Sequence, residues 1–171
     1  MLNNVELGSS NTNAVDLYPT DLRDKVDETN EWIYTLLNNG VYRCGFSTQQ
    51  AAYEKASTDV RNGLEKVESI LEYQPFLCGD VFTESDLRLL PTIIRFDGAY
   101  SPLFRAGGAY VRVKDYPNIL AWLQRCWDIE GIRSTIDIDD AVSSYYRQLF
   151  PLNPGGLQPF PPISEKDIGL K

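Results

Sequence analysis

Histidine is absent from the 171 residues of this chain. Its absence removes the commonest general base, the Ser-His and Cys-His nucleophile pairs and the commonest zinc ligand. Cysteine is scarce. Cys44, Cys78 and Cys126 stand far apart with no C-x-x-C pair, so neither a zinc site nor a dithiol redox motif is indicated. An odd, thin count of thiols fits an intracellular, reducing compartment, either the cytoplasm or an organelle such as a chloroplast or mitochondrion. No apolar run reaches the roughly 18–20 residues that a membrane helix needs. The opening Met1-Leu-Asn-Asn-Val-Glu6 has no basic stretch before an apolar core and does not read as a secretory signal. Strand alternation, internal repeats and glycine-rich phosphate loops are also missing.

What is present is acid and apolar periodicity. Twenty-four Asp and Glu against 16 Lys and Arg give a net charge of −8. That argues against nucleic acid and anionic lipid as partners. A hydrophobic share of 43% is that of a chain with a core.

The pattern predicts an all-α fold of one domain with five or more helices. Residues 1–18 read as an extended arm or linker, 19–150 as the helical domain and 151–171 as a Pro/Gly-rich strap, frayed beyond Ser164. Leu22, Val26, Thr29, Ile33, Leu36 and Leu37 recur at helical spacing from Pro19, with Asn38-Asn39-Gly40 as the stop. A short connection spans 38–46. Ser47 and Gln50 form a capping box for a second helix carrying Ala52, Ala56, Val60, Leu64, Val67 and Leu71. Thr83 and Asp86 form another before Leu87, Leu90, Ile93 and Ile94, with Pro91 expected to kink that helix. Residues 97–114 read as a long irregular connection. Pro117 then opens a helix with Ile119, Leu120, Leu123 and Trp127 inside, and 137–149 is the last helix.

Several side chains are candidates for chemistry. Arg43, Arg95, Arg105 and Arg112 could gather an anion, although pairing of Arg95 with Asp97 or Asp86 is the more economical reading. Cys44 reads as a small buried hydrophobe. Asp137, Asp139 and Asp140 lack calcium-loop spacing and read as a solvated helix start, so no metal is expected. Trp32, Trp122 and Trp127 fall on or beside apolar stripes.

Phe76-Leu-Cys-Gly-Asp80 followed by Thr83 and Asp86 resembles the Phe-Leu-x-Gly-Asp-x-x-Thr-x-x-Asp signature of glutathione transferase C-terminal domains. Leu17-Tyr-Pro-Thr-Asp-Leu-Arg23, Asn38-Asn-Gly-Val-Tyr-Arg-Cys-Gly-Phe46, Ile94-Arg-Phe-Asp97, Asp115-Tyr-Pro-Asn-Ile119 and Tyr145-Tyr146 before Asn153-Pro154 narrow the likeness. They resemble the C-terminal helical domain of glutathionyl-hydroquinone reductases, the Xi class of these transferases, from about Leu17 to Pro162. The resemblance implies glutathione-dependent reduction of glutathionyl-hydroquinones. The reacting cysteine of the family sits in a Cys-Pro motif of a thioredoxin-like domain that also binds glutathione. No such motif or α/β region is in this sequence. No catalytic residue is therefore expected within this chain, and glutathione enters only if that other domain is supplied. The family's pocket tyrosines correspond to Tyr42 and to either Tyr145 or Tyr146.

Departures are concentrated at polar positions. Ser144 stands where the family has a histidine, and Arg147-Gln-Leu-Phe150 where it has another. Phe104-Arg-Ala-Gly-Gly108 replaces a Phe-Lys-Cys-Asn stretch, and Asn153-Pro-Gly-Gly-Leu-Gln-Pro159 replaces Asn-Pro-Thr-Gly-Ile-Val-Pro. The preferred reading is a non-catalytic structural or interaction subunit whose uncovered face meets a protein partner or a second copy. The alternative is part of a working reductase completed by a cysteine-bearing domain. A weaker alternative is a binder of hydrophobic aromatic ligands.

Overall fold

A computed structural model describes residues 16–108, 110–149 and 151–171. Most of the arm expected over 1–18 lies outside them. Seven α-helices occur in order among the described residues: α1 (Arg23–Ile33), α2 (Gly40–Gly45), α3 (Gln50–Leu71), α4 (Glu84–Arg95), α5 (Ser101–Phe104), α6 (Pro117–Trp127) and α7 (Ile138–Gln148). No β-strand forms among those residues, and no helix there is long and apolar enough to cross a membrane.

The expected stop at Gly40 is not a stop. Helical backbone runs from α1 through a π-turn, Tyr34–Asn38, and on into α2. The Asn39 amide closes the turn by donating to the Tyr34 carbonyl at 2.9 Å. Gly40 serves close approach rather than a left-handed turn, since a Cβ there would lie 3.1 Å from Val60 Cγ2 on α3. Asn38 is spent on tertiary structure. Its amide donates to the Arg88 carbonyl at 3.0 Å and to Thr92 Oγ1 at 2.7 Å, both on α4. The stretch read as a connection is thus a packed helix.

The second predicted capping box does not form. Gln49 is the N-cap of α3 and no side chain caps it. Ser47 instead donates to the Arg43 carbonyl at 2.5 Å, and Gln50 donates to Glu54 at 2.9 Å. The reason is local: α2 ends only two residues before Ser47, and its last carbonyls take the hydroxyl. Ala52 is exposed, while Ala56, Val60, Leu64, Val67 and Leu71 are buried.

Thr83 and Asp86 form their box at the start of α4. Asp86 is fully buried and accepts from four donors: the Leu77 amide (3.0 Å), the Thr83 amide (2.9 Å), the Thr83 hydroxyl (3.0 Å) and the Trp122 indole (2.9 Å). Burial holds its pKa above the ordinary carboxylate range, and the four donors offset only part of that rise. One carboxylate thereby joins the 77–83 turn, α4 and α6. Glu68 on α3 does the same for α6, accepting from the Asn118 and Ile119 amides at 3.0 and 2.9 Å.

The irregular connection expected over 97–114 is helical in its first half. A second π-turn, Phe96–Tyr100, leads into α5, and Arg105 ends it in the left-handed region at φ 57°. Asp97 fixes the return by accepting from the Val113 and Lys114 amides at 2.7 and 3.3 Å. The tail is not frayed beyond Ser164. Ser164 and Asp167 form a capping box over Glu165–Ile168, and Ile168 and Leu170 are buried in the core.

Candidate functional site

Three tyrosine hydroxyls meet where α2, the second π-turn and α7 converge. Tyr42 comes from α2, Tyr100 closes the π-turn and Tyr145 lies on α7. The Tyr42–Tyr145 oxygens are 2.6 Å apart, Tyr100–Tyr145 2.7 Å and Tyr42–Tyr100 3.2 Å. The rings meet edge to face, with Tyr42 and Tyr100 centroids 5.7 Å apart at 61° and Tyr100 and Tyr145 5.2 Å apart at 86°. Phe104, fully buried, backs all three rings with centroids 5.4–5.9 Å away. Gly45 makes this possible, because a Cβ there would sit 2.6 Å from Phe104 Cγ.

A phenol donates once and accepts twice. Three hydroxyls in a closed ring spend every donor internally. The 3.2 Å edge between Tyr42 and Tyr100 is the weakest of the three. Tyr100 is buried, whereas Tyr42 is half-exposed. Tyr145 is half-exposed as well, so Tyr42 and Tyr145 are the members of the cluster that reach the surface. Burial raises the pKa of both Tyr100 and Tyr145, and each also hydrogen-bonds the other hydroxyls. Both stay protonated at neutral pH.

Of Tyr145 and Tyr146, it is Tyr145 whose hydroxyl meets Tyr42 and Tyr100. Tyr146 donates instead to the Gly98 carbonyl at 2.9 Å, tying α7 to the π-turn. Tyr100 is not among the residues that the sequence singles out. The signal is there all the same: Phe96, Tyr100 and Phe104 stand four apart, an aromatic stripe that a helical reading of that stretch places on one face.

The four arginines do not converge. Arg43 pairs with Asp59 at 3.0 Å and donates to the Thr35 carbonyl. Arg105 lies over the Tyr53 ring, 5.6 Å from its centroid. Arg112 donates to Ser101 Oγ and to the Val111 carbonyl. Arg95 pairs with neither Asp97 nor Asp86; it donates to the Pro91 carbonyl at 2.9 Å, because those two carboxylates are occupied by backbone amides. Cys44, Cys78 and Cys126 are buried and unpaired, and burial pushes the Cys44 and Cys126 thiols up. Asp137 caps α7 by accepting from the Asp140 amide at 2.9 Å. Among the described residues no group of three His, Cys, Asp or Glu side chains could hold a metal ion.

This capped bundle is the fold of a glutathione transferase C-terminal domain, and residues 50–125 match the family described as "Glutathione S-transferase, C-terminal domain". The chain is 41% identical over 153 residues to glutathione S-transferase omega-like 2 of Schizosaccharomyces pombe, covering 88% of itself and 49% of that protein. It is 38% identical over 154 residues to the glutathionyl-hydroquinone reductase YqjG of Escherichia coli, covering 90% of itself and 46% of that protein. The glutathione-bound structure of YqjG superposes with a TM-score of 0.84, over 90% of this chain and 50% of that one. The glutathione transferase Xi of Phanerochaete chrysosporium superposes with a TM-score of 0.82 at 37% identity, over 88% of this chain and 48% of that one. The chain carries the C-terminal helical domain of the glutathionyl-hydroquinone reductases, the Xi-class glutathione transferases. It spans about half the length of the relatives it matches.

Proposed function

We propose that this domain is the aromatic-substrate wall of a glutathionyl-hydroquinone reductase, with Tyr42 as the outward donor and Tyr145 and Tyr100 holding it. The observation that carries this reading is the closed ring of three hydroxyls against a buried Phe104. In the reaction, a thiolate carried by the glutathione-binding half attacks the thioether sulfur of the substrate. A sulfur–sulfur bond forms and the sulfur–aryl bond breaks, its electron pair and a proton going to the ring carbon. A second glutathione thiolate then cleaves the mixed disulfide and glutathione disulfide leaves. The disulfide that leaves carries the substrate's thioether sulfur and the sulfur of one glutathione thiol, the attacking thiolate is regenerated, and the arene is reduced by two electrons. Tyr42 donates to the hydroquinone oxygen as the ring rehybridises, and the aromatic wall stacks on the ring.

The thiolate is not supplied by the three described cysteines, since all are buried. That favours a second reading, the purely structural subunit. The two readings separate on one experiment. The protein is purified from its own cells with whatever polypeptide carries the glutathione-binding half, and glutathione-dependent release of hydroquinone from a glutathionyl-hydroquinone is monitored. Tyr42→Phe is expected to slow turnover about 100-fold, the usual worth of a positioned proton donor, with thermal stability unchanged. Unchanged turnover would remove Tyr42 from the site and leave the structural reading.

A further inference from the structure

A groove of about 450 Å³ runs between α1 and α3, on elements that supply none of the three clustered tyrosines. The helices run antiparallel along it. Lys25 Nζ donates to Gln74 Oε1 at 3.3 Å, just beyond the end of α3, and Lys66 Nζ lies 4.3 Å from the centre of the Trp32 ring. Each end of the groove thus carries one ammonium and one aromatic ring, Lys25 with Tyr73 and Lys66 with Trp32. Lys25 and Trp32 are two turns apart on α1, about 10 Å by helical rise. Gln74 is itself fixed, because its amide donates to the Phe76 and Leu77 carbonyls, both at 2.7 Å, and its oxygen is left to hold Lys25. In a chain of 24 acids and 16 bases, neither lysine belongs to an ion pair among the described residues. Tyr73 is 82% exposed, a large ring standing in water at the rim. Ile70 and Leu77 add apolar surface, and Glu28 and Ser69 line the middle.

We propose that this groove binds a small aromatic diacid, an elongated molecule with one anionic group at each end and a ring system between. The two positioned ammonium groups set the charges and their spacing, since each is held by a neutral partner and keeps donors for an anion. The rings of Tyr73 and Trp32, with Ile70 and Leu77, give a planar molecule apolar surface to lie on. Glu28 sorts among anions. It stands between Lys25 and Trp32 on α1, so a charge at the centre of the ligand is repelled and charges at the ends are not. The volume is that of a site for one small molecule. Both lysines are exposed, so water screens each attraction and the two ends must act together. The site stands apart from the reductase reading, because no tyrosine of the cluster lines it.

The experiment uses the full chain purified from its own cells and three probes: para,para′-biphenyl dicarboxylate, the para monoacid and the neutral diamide. Affinity is read by calorimetry. Location is read by brief acetylation of lysines, followed by mass spectrometry of the peptides. The diacid is expected to protect Lys25 and Lys66 and to leave Lys55, exposed elsewhere on α3, as reactive as before. The monoacid is expected to bind about fivefold more weakly than the diacid, and the diamide weaker again by a similar factor, the worth of one exposed ion pair each time. Lys25→Met and Lys66→Met are each expected to lower diacid affinity by about the same factor. Tyr73→Ala, which touches no charge, is expected to weaken monoacid and diacid alike. Tyr42→Phe is expected to leave the protection unchanged. Equal binding of diacid and diamide would overturn the proposal, as would no binding at millimolar probe. Protection lost in Tyr42→Phe would move the ligand to the tyrosine cluster and overturn it too. Lysines 25 and 66 already unreactive without probe would show the groove covered by a second copy or another polypeptide, and the diacid site would fall.

Discussion

At the scale of single residues, burial raises the pKa of Tyr100, Tyr145 and Asp86 alike, and hydrogen bonds decide what each contributes. Tyr100 and Tyr145 are held neutral, their folded pKa values lying above the unfolded value of about 10. A raised folded pKa means that the folded state keeps protons the unfolded chain has released. The stability these groups contribute is complete below about pH 10 and is lost as pH rises beyond it. Urea midpoints between pH 8 and 11 are expected to fall steeply past pH 10, and Tyr100→Phe to flatten that fall; an unchanged slope would show that the hydroxyl titrates alike in both states. Asp86 is also buried, and four donors hold its carboxyl. Asp86→Ala leaves buried amides and an indole unsatisfied, at about 1–3 kcal/mol for each group left bare. A loss of about 3 kcal/mol or more in urea unfolding is expected, against a smaller loss for Asp86→Asn. The box itself is legible in the sequence, because a Thr and an Asp three apart before an apolar run leave few other readings. The Trp122 indole as fourth donor is not, since nothing local ties residues 36 apart.

At the scale of elements, α3, α4 and α6 are legible because their apolar residues keep a 3.6-residue period, and α7 because acids open it and Arg147 stands near its end. The two π-turns are hidden. Asn38-Asn39-Gly40 carries the composition of a helix end, yet Val60 across the packing interface and the carbonyl of Arg88 reward continuing the helix. Tertiary contact overrules local chemistry here, and it puts Tyr42 on a helix where composition alone puts it in a loop. Gly45 tests the same point. Gly45→Ala puts a methyl 2.6 Å from Phe104 Cγ. Overpacking of this kind costs about 1–3 kcal/mol, and pushing the Phe104 ring spreads the hydroxyls it backs. Lower thermal stability and lower turnover together are expected in this variant. Turnover kept at the parental rate would mean that the ring yields without disturbing the cluster.

At the scale of the whole molecule, the bundle is fastened by pieces far apart in sequence. Glu68 caps α6 across 50 residues, and the last turn, Glu165–Ile168, carries Ile168 and Leu170 into the core. Its Glu165 reaches Arg133 at 2.9 Å, and the Lys171 amide reaches Gln124 at 3.0 Å. The order of this strap is illegible in the sequence because prolines and glycines dominate it, and two apolar residues among charges carry no period. Removing residues 165–171 deletes both and uncovers the core surface they pack against. Burial of such side chains is worth about 1.5–3 kcal/mol each, so a drop of about 3 kcal/mol or more in unfolding free energy is expected. A midpoint unmoved by the truncation would show the turn to be ornamental. The two π-turns have one more consequence, and it concerns inheritance. Each holds an extra residue relative to an α-helix and so rotates the helix downstream of it by about 100°. Tyr42 lies just beyond the first and Tyr100 completes the second. An in-frame loss of a single codon within 34–38 would leave every aromatic residue of the cluster in the gene and still turn Tyr42 away from its partners, so a lineage could lose this site by a change of count, with no tyrosine of the cluster ever mutated.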